Sequence, residues 1–208
     1  MTTNDLGTSG DHTDPDKDAA ELETLAKACE LWQTGQVLGS SLLRGAARVI
    51  TSVPHYFSAD FITGYEDEAR KNADALRYGQ SLLDAIAACE PRDADAWSIA
   101  VGLPSRGFAG RGLKPNGSND AQILSNLNTG EILMPLWGVS LDRDVAGSFG
   151  AGFLFEIVGP FPAIAAWIHS GIKAEEQELI AGGRYRVESI ESVGGTTHAR
   201  FQWVGPAL

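Results

Sequence analysis

A chain of 208 residues with 43% apolar composition can bury a sizeable core, and one domain with a helical extension accounts for its length. The formal net charge of −11 opposes a phosphate backbone, which demands a basic face, and this argues against general nucleic-acid binding. It is no bar to a small pyrophosphate ligand, because one or two well-placed arginines hold such a group whatever the total charge.

Residues 1–18 carry Asp5, Asp11, Asp14, Asp16 and Asp18 and no apolar h-region. This stretch reads as a disordered acidic leader and not as a signal peptide, so the protein is expected in the cytoplasm or exported by a signal-independent route. Over residues 19–90 apolar residues recur at helical spacing, with Leu22, Leu25, Ala26, Cys29 and Trp32 on one face. A helical N-terminal subdomain that serves as scaffold is expected. Prolines set breaks at Ser52-Val53-Pro54 and Glu90-Pro91, and between them Asp67–Cys89 reads as one long helix. Cys29 and Cys89 lie in apolar helical stretches without metal-ligand spacing, which predicts free thiols.

Residues 91–208 change to short apolar runs punctuated by glycine, the texture of a β-rich domain. Strands are predicted over Trp97–Leu103, Glu131–Val139, Gly152–Val158, Glu178–Ile180, Arg184–Ile190 and Ala199–Val204, with room for a short helix in Ser118–Leu127. Phe153–Trp167 is interrupted by Glu156, Gly159, Pro160 and Pro162, so no membrane span is expected. His12, His55, His169 and His198 are scattered, and no metal site is indicated. The glycines form no Gly-x-Gly-x-x-Gly opening a helix, and no Gly-x-Ser-x-Gly elbow is present, which argues against dinucleotide-fold and serine-hydrolase readings.

The stretch that carries chemistry runs from Ser170 to Val187. In it the acidic turn Glu175-Glu176-Gln177-Glu178 leads into Leu179-Ile180, Gly182-Gly183 reverses the chain, and Arg184-Tyr185-Arg186-Val187 follows. In an extended segment Glu176 and Glu178 point the same way, because the side-chain period of a strand is two. Taken alone, such a string also suits a solvated charge cluster.

This arrangement resembles the Glu-x-Glu element of the arginine-specific mono-ADP-ribosyltransferases, over about eighteen consecutive positions. The resemblance implies that Glu178 faces the ribose of NAD, where cleavage of the nicotinamide bond develops positive charge that a carboxylate stabilises. It implies that Glu176 binds and helps deprotonate the incoming nucleophile, a necessary task because an arginine guanidinium is otherwise always charged. A glutamine at that position would point to another acceptor class. Trp137-Gly138-Val139-Ser140-Leu141, followed by Val145-Ala146 and Phe149, resembles the family's second motif, an aromatic and then Ser-Thr-Ser. Ser140 takes the place of the last serine, and Gly138 stands where the family has its most important one. Asp142 is placed to cap the helix that follows. The family's phosphate-gripping arginine matches either Arg106 or Arg111, each followed by glycine, while a third alignment through Val101-Gly102-Leu103-Pro104 leaves it without a counterpart. Phe149 and Trp137 either flank the nicotinamide pocket or belong to the core.

The architecture implied by the resemblance is α+β: a helical N-terminal part on a mixed or antiparallel two-sheet ADP-ribosyltransferase-like core over residues 91–208, with NAD between the sheets. The implied function is transfer of ADP-ribose from NAD to an acceptor, foremost a protein arginine, with no metal, either on the cell's own proteins or as a delivered toxin or effector. Two alternatives stay open: an NAD glycohydrolase, and a non-enzymatic interaction module on a degenerate form of the same fold.

Overall fold

The computed structural model of the protein describes residues 15–34, 39–52, 65–91, 95–98, 124–148 and 153–207. Helices come first: α1 (Pro15–Thr34), α2 (Gly39–Thr51), α3 (Tyr65–Arg70) and α4 (Ala73–Ala88). Helix α1 begins inside the stretch read as a leader, whose residues 1–14 lie outside those described. On its expected apolar face Leu25, Cys29 and Trp32 are buried, whereas Leu22 is 61% exposed, one turn before the buried part begins. Helix α2 ends at Thr51, at the expected proline break. Asp67–Cys89 is two helices instead of one, because Asn72 leaves the helical region (φ −120°, ψ 99°) and its side chain accepts a hydrogen bond from the Ala75 N–H at 3.0 Å. An asparagine cap satisfies one of the four orphan donors at a helix start, which favours a new start over continuation.

The strands are β1 (Ala96–Ser98), β2 (Glu131–Ser140), β3 (Phe153–Ile157), β4 (Ala163–Ala165), β5 (Glu178–Val193) and β6 (Thr196–Gly205). Two short helices interrupt them, α5 (Arg143–Ser148) and α6 (Ala166–Ser170), and residues 124–127 are helical ahead of β2. The strand order is β2-β1-β3-β6-β5-β4, and β2 also pairs with β5, so five strands curl into a ring from which β4 branches. Among the described strands, β3–β6 is the one parallel pair. The mixed helix-and-strand architecture is as expected, and its strands form one hydrogen-bonded network.

One expectation about β5 is corrected. Gly182-Gly183 does not reverse the chain; β5 runs straight through it and turns only at Gly194-Gly195, both at positive φ (60° and 85°), as a two-residue hairpin requires. The earlier pair serves close approach. A Cβ on Gly182 would lie 2.4 Å from the Pro135 carbonyl oxygen, and one on Gly183 (φ 138°) would lie 2.3 Å from Trp203 Nε1. Pro135, which lacks an N–H, sits in the irregularity between Met134 and Trp137 where β2 bulges against this pair.

Alternation along β2 and β5 divides the core in two. Trp137, Val139, Leu179 and Ala181 face the inside of the ring with Phe153, Phe155, Tyr185 and Phe201. Leu136 and Ile180 face the other way, onto Leu25, Trp32, Leu43, Leu82 and Ile86 of the helices. Gly138, Ser140 and Glu178 share the parity of that second set, and Ser140 and Glu178 are direct cross-strand partners. Glu178 therefore begins β5 on its helix-facing side, and this places the site.

Candidate active site

Glu178 is partly buried, and its Oε1 accepts a hydrogen bond from Trp32 Nε1 of α1 at 2.7 Å. Burial pushes its pKa up to about 7, opposed by the Trp32 hydrogen bond, reinforced by the Glu176 charge and lowered again by Arg44 and Lys173. Two residues before its cross-strand partner Ser140, Gly138 leaves the carboxylate room: a Cβ there would lie 3.0 Å from Glu178 Oε1 and 3.3 Å from Trp32 Cζ2. The Arg44 guanidinium lies over the Trp32 ring, 5.4 Å from its centroid. Cys29 is close enough that the Glu178 charge adds to burial in raising its thiol to about 12, so that it stays a neutral neighbour; both Cys29 and Cys89 are free thiols.

Glu176 is placed differently from the expectation that it and Glu178 point the same way from an extended segment. Ala174–Glu176 is a 3-10 turn, flanked by Lys173 and Gln177 in the left-handed region (φ 53° and 44°), and β5 starts only at Glu178. The two carboxylates are brought together by this turn and not by strand period. Ser140 holds it: its Oγ donates to the Glu176 carbonyl at 2.7 Å and accepts from the Asp142 N–H at 3.0 Å. A second tie is the Leu141 N–H to the Gln177 carbonyl at 3.2 Å. The Ser140 hydroxyl thus braces the turn's backbone. Lys173 Nζ stands 3.0 Å from Glu176 Oε1. Asp142 caps α5 as expected, accepting from the Asp144 N–H at 2.8 Å.

Arg106, Arg111 and Phe149 lie outside the described residues, as does 99–103 of the predicted first strand. Trp137 is core: it is fully buried and packs edge-on against Tyr185, Phe201 and Phe155. Sequence reasoning missed Trp32, assigning it to scaffold. The available signal was chemical, since a tryptophan on a buried face brings an N–H that needs an acceptor. Among the described residues no cluster of three or more metal-ligating side chains occurs, and no helix is long and apolar enough to cross a membrane.

The raised pKa of Glu178 has a consequence for stability. Between the ordinary value of 4.5 and about 7 the folded protein retains a proton that the unfolded chain releases, so stability falls as pH rises through this window. Glu178→Gln removes that loss. Thermal melts are expected to show the variant above the parent at alkaline pH, with the gap closing in acid below the ordinary carboxylate range. A variant that melts lower than the parent at alkaline pH contradicts the burial cost.

No family model and no curated protein matches the sequence. Solved structures do. An ADP-ribosyltransferase of Clostridium botulinum is similar with a TM-score of 0.54 at 12% identity, over 96% of this chain and 99% of that one. The C3 exoenzyme of Clostridium limosum is similar with a TM-score of 0.54 at 11% identity, over 90% of this chain and 89% of that one. At such identities the likeness is one of fold: this chain has the ADP-ribosyltransferase fold.

Proposed function

We propose that the protein is an NAD-dependent mono-ADP-ribosyltransferase acting on a protein arginine, with Glu178 at the ribose and Glu176 at the acceptor. The observation that carries this is the pair of carboxylates where the 3-10 turn meets β5, both partly buried, Glu178 hydrogen-bonded to the Trp32 indole and Glu176 paired with Lys173. In the reaction the bond between ribose C1′ and the nicotinamide nitrogen breaks, nicotinamide leaves with the electron pair, and an arginine nitrogen bonds to C1′. Glu178, ionised, sets a negative charge in partly desolvated surroundings, where it stabilises positive charge on the ribose more than it could in water. Glu176 accepts the proton that the guanidinium must lose, and its position on the turn leaves it open to an incoming protein side chain. Lys173, its ion-pair partner, must yield that oxygen as the acceptor arrives. Ser140 acts through the backbone, holding the turn that carries both carboxylates.

On this reading the pyrophosphate falls to Arg106 or Arg111, with Phe149 at the nicotinamide, and no metal takes part. On the same reading the site belongs to a catalytic core at residues 91–208, with the helices of 19–90 as its scaffold.

The test is a split of activities. Glu176→Gln is expected to lose ADP-ribose transfer by about 10²-fold or more, the usual scale for a general base, while still releasing nicotinamide to water. Labelled NAD, with and without acceptor protein, and mass spectrometry of a treated lysate for ADP-ribose on arginine measure both. Equal loss of the two activities removes the division of labour. Turnover to water alone, whatever acceptor is offered, identifies a glycohydrolase, and calorimetry without NAD binding at millimolar concentration points to an interaction module.

A further inference from the structure

Glu178 has a hydrogen-bond donor that comes from far outside its own motif. Trp32 lies on α1 with only 3% of its surface exposed, and its indole N–H reaches the carboxylate at 2.7 Å, in the range of charge-assisted bonds. The indole lies where a side chain on β2 would otherwise go, because a Cβ at position 138 would meet both Glu178 Oε1 and Trp32 Cζ2 at 3.0 and 3.3 Å. The Arg44 guanidinium from α2 lies over the ring, and the Ser170 hydroxyl donating to Gln33 Oε1 ties the end of α1 to α6, shortly before the acidic turn.

We infer that Trp32 is the positioning residue of Glu178, delivering across the helix–sheet interface the hydrogen bond for which position 138, a glycine, has no side chain. The role rests on the proposed function; the contact does not. An indole N–H is a donor only, so it recognises the ionised carboxylate and favours it over the acid. Burial works against that form. Among the described residues, the charged or titratable groups that face Glu178 are Cys29 from α1, Arg44 from α2, and Lys173 and Glu176 from the turn. Of these, Arg44 and Lys173 support the ionised state and Glu176 opposes it.

The first measurement needs no activity. In ¹⁵N–¹H spectra of the full chain, one of the five indole resonances is expected to move with pH through the Glu178 titration and to stop moving in Glu178→Gln. No titrating indole, or one that still titrates in Glu178→Gln, overturns the contact. The second measurement is the pH profile of kcat/KM. Trp32→Phe is expected to shift its rising limb upward by about one unit, hence about tenfold less activity on the acid side with near-parental activity at high pH. Phenylalanine also vacates the space beside position 138. Gly138→Ser is therefore expected to restore the limb in the Trp32→Phe background, and to impair the parent, where the indole still fills that space. A limb unmoved by Trp32→Phe overturns the positioning role, and so does a uniform loss at every pH that Gly138→Ser leaves unrelieved. Should Trp32→Phe not fold, the titrating indole and the sign of Gly138→Ser in the parent decide. A titrating indole in a protein that never turns over NAD overturns the proposed function and leaves the contact intact.

Discussion

Glu178→Gln is expected to lower nicotinamide release and ADP-ribose transfer together, by about 10²–10³-fold, the scale on which one preorganised electrostatic group acts. The substitution keeps shape and polarity and removes the negative charge. Because that charge is worth most where positive charge develops, the loss should fall on kcat more than on KM. Initial rates of nicotinamide release from labelled NAD measure it, and retention of both activities ends the mechanism. In the parent the same group is expected to govern the pH dependence of activity. With its pKa held near 7 by burial, activity is expected to climb as pH rises through neutrality, and the climb should vanish in the variant.

Trp137→Ala is expected to cost about 3–5 kcal/mol of stability, the range for truncating a large buried aromatic. Trp137 has no exposed surface and meets Tyr185 at 5.1 Å, Phe201 at 5.4 Å and Phe155 at 6.2 Å between ring centroids, all edge-on. These contacts knit β2, β3, β5 and β6, so their loss loosens the ring as a whole. Urea titration followed by circular dichroism gives the difference directly. A loss below about 1 kcal/mol would show that the ring core refills the space, contrary to the close packing of protein interiors. Any loss of NAD turnover in this variant should track the unfolded fraction, since the side chain lines the core and not the turn.

The carboxylates were legible in the sequence because the motif is contiguous: Glu176 and Glu178 lie within three residues, and the strand after them alternates as Arg184 exposed, Tyr185 buried, Arg186 exposed. Most strands were readable for the same reason of local periodicity, β2 to within one residue. The division of Asp67–Cys89 was also written locally, in Asn72, but a helical period bridging it outweighed a single capping residue. What alternation could not reveal was tertiary. Glycines at 182 and 183 carry the same letters as a hairpin turn, and only the approach of Pro135 and Trp203 shows that they are there to be crowded. The shared direction of Glu176 and Glu178 was argued from an extended segment, because the left-handed backbone of Lys173 and Gln177 has no sequence signature without glycine. Trp32 was read as scaffold since its acceptor lies in a distant segment.

That distance matters for how the molecule comes into being. Trp32 and Glu178 are separated by 146 positions, and Gln33 and Ser170 by 137. Contacts of such long range must bear the entropy of closing a large loop, so they form late in folding, after the local helices. During synthesis α1 emerges well before β5, and helices form sooner than long-range strand pairs. Until the last strands close the ring, the Glu178 carboxylate remains in water with its ordinary acidity. The surroundings of Glu178 are therefore completed late, and a partly made chain carries the acidic turn without the burial and the indole contact that enclose it in the folded protein.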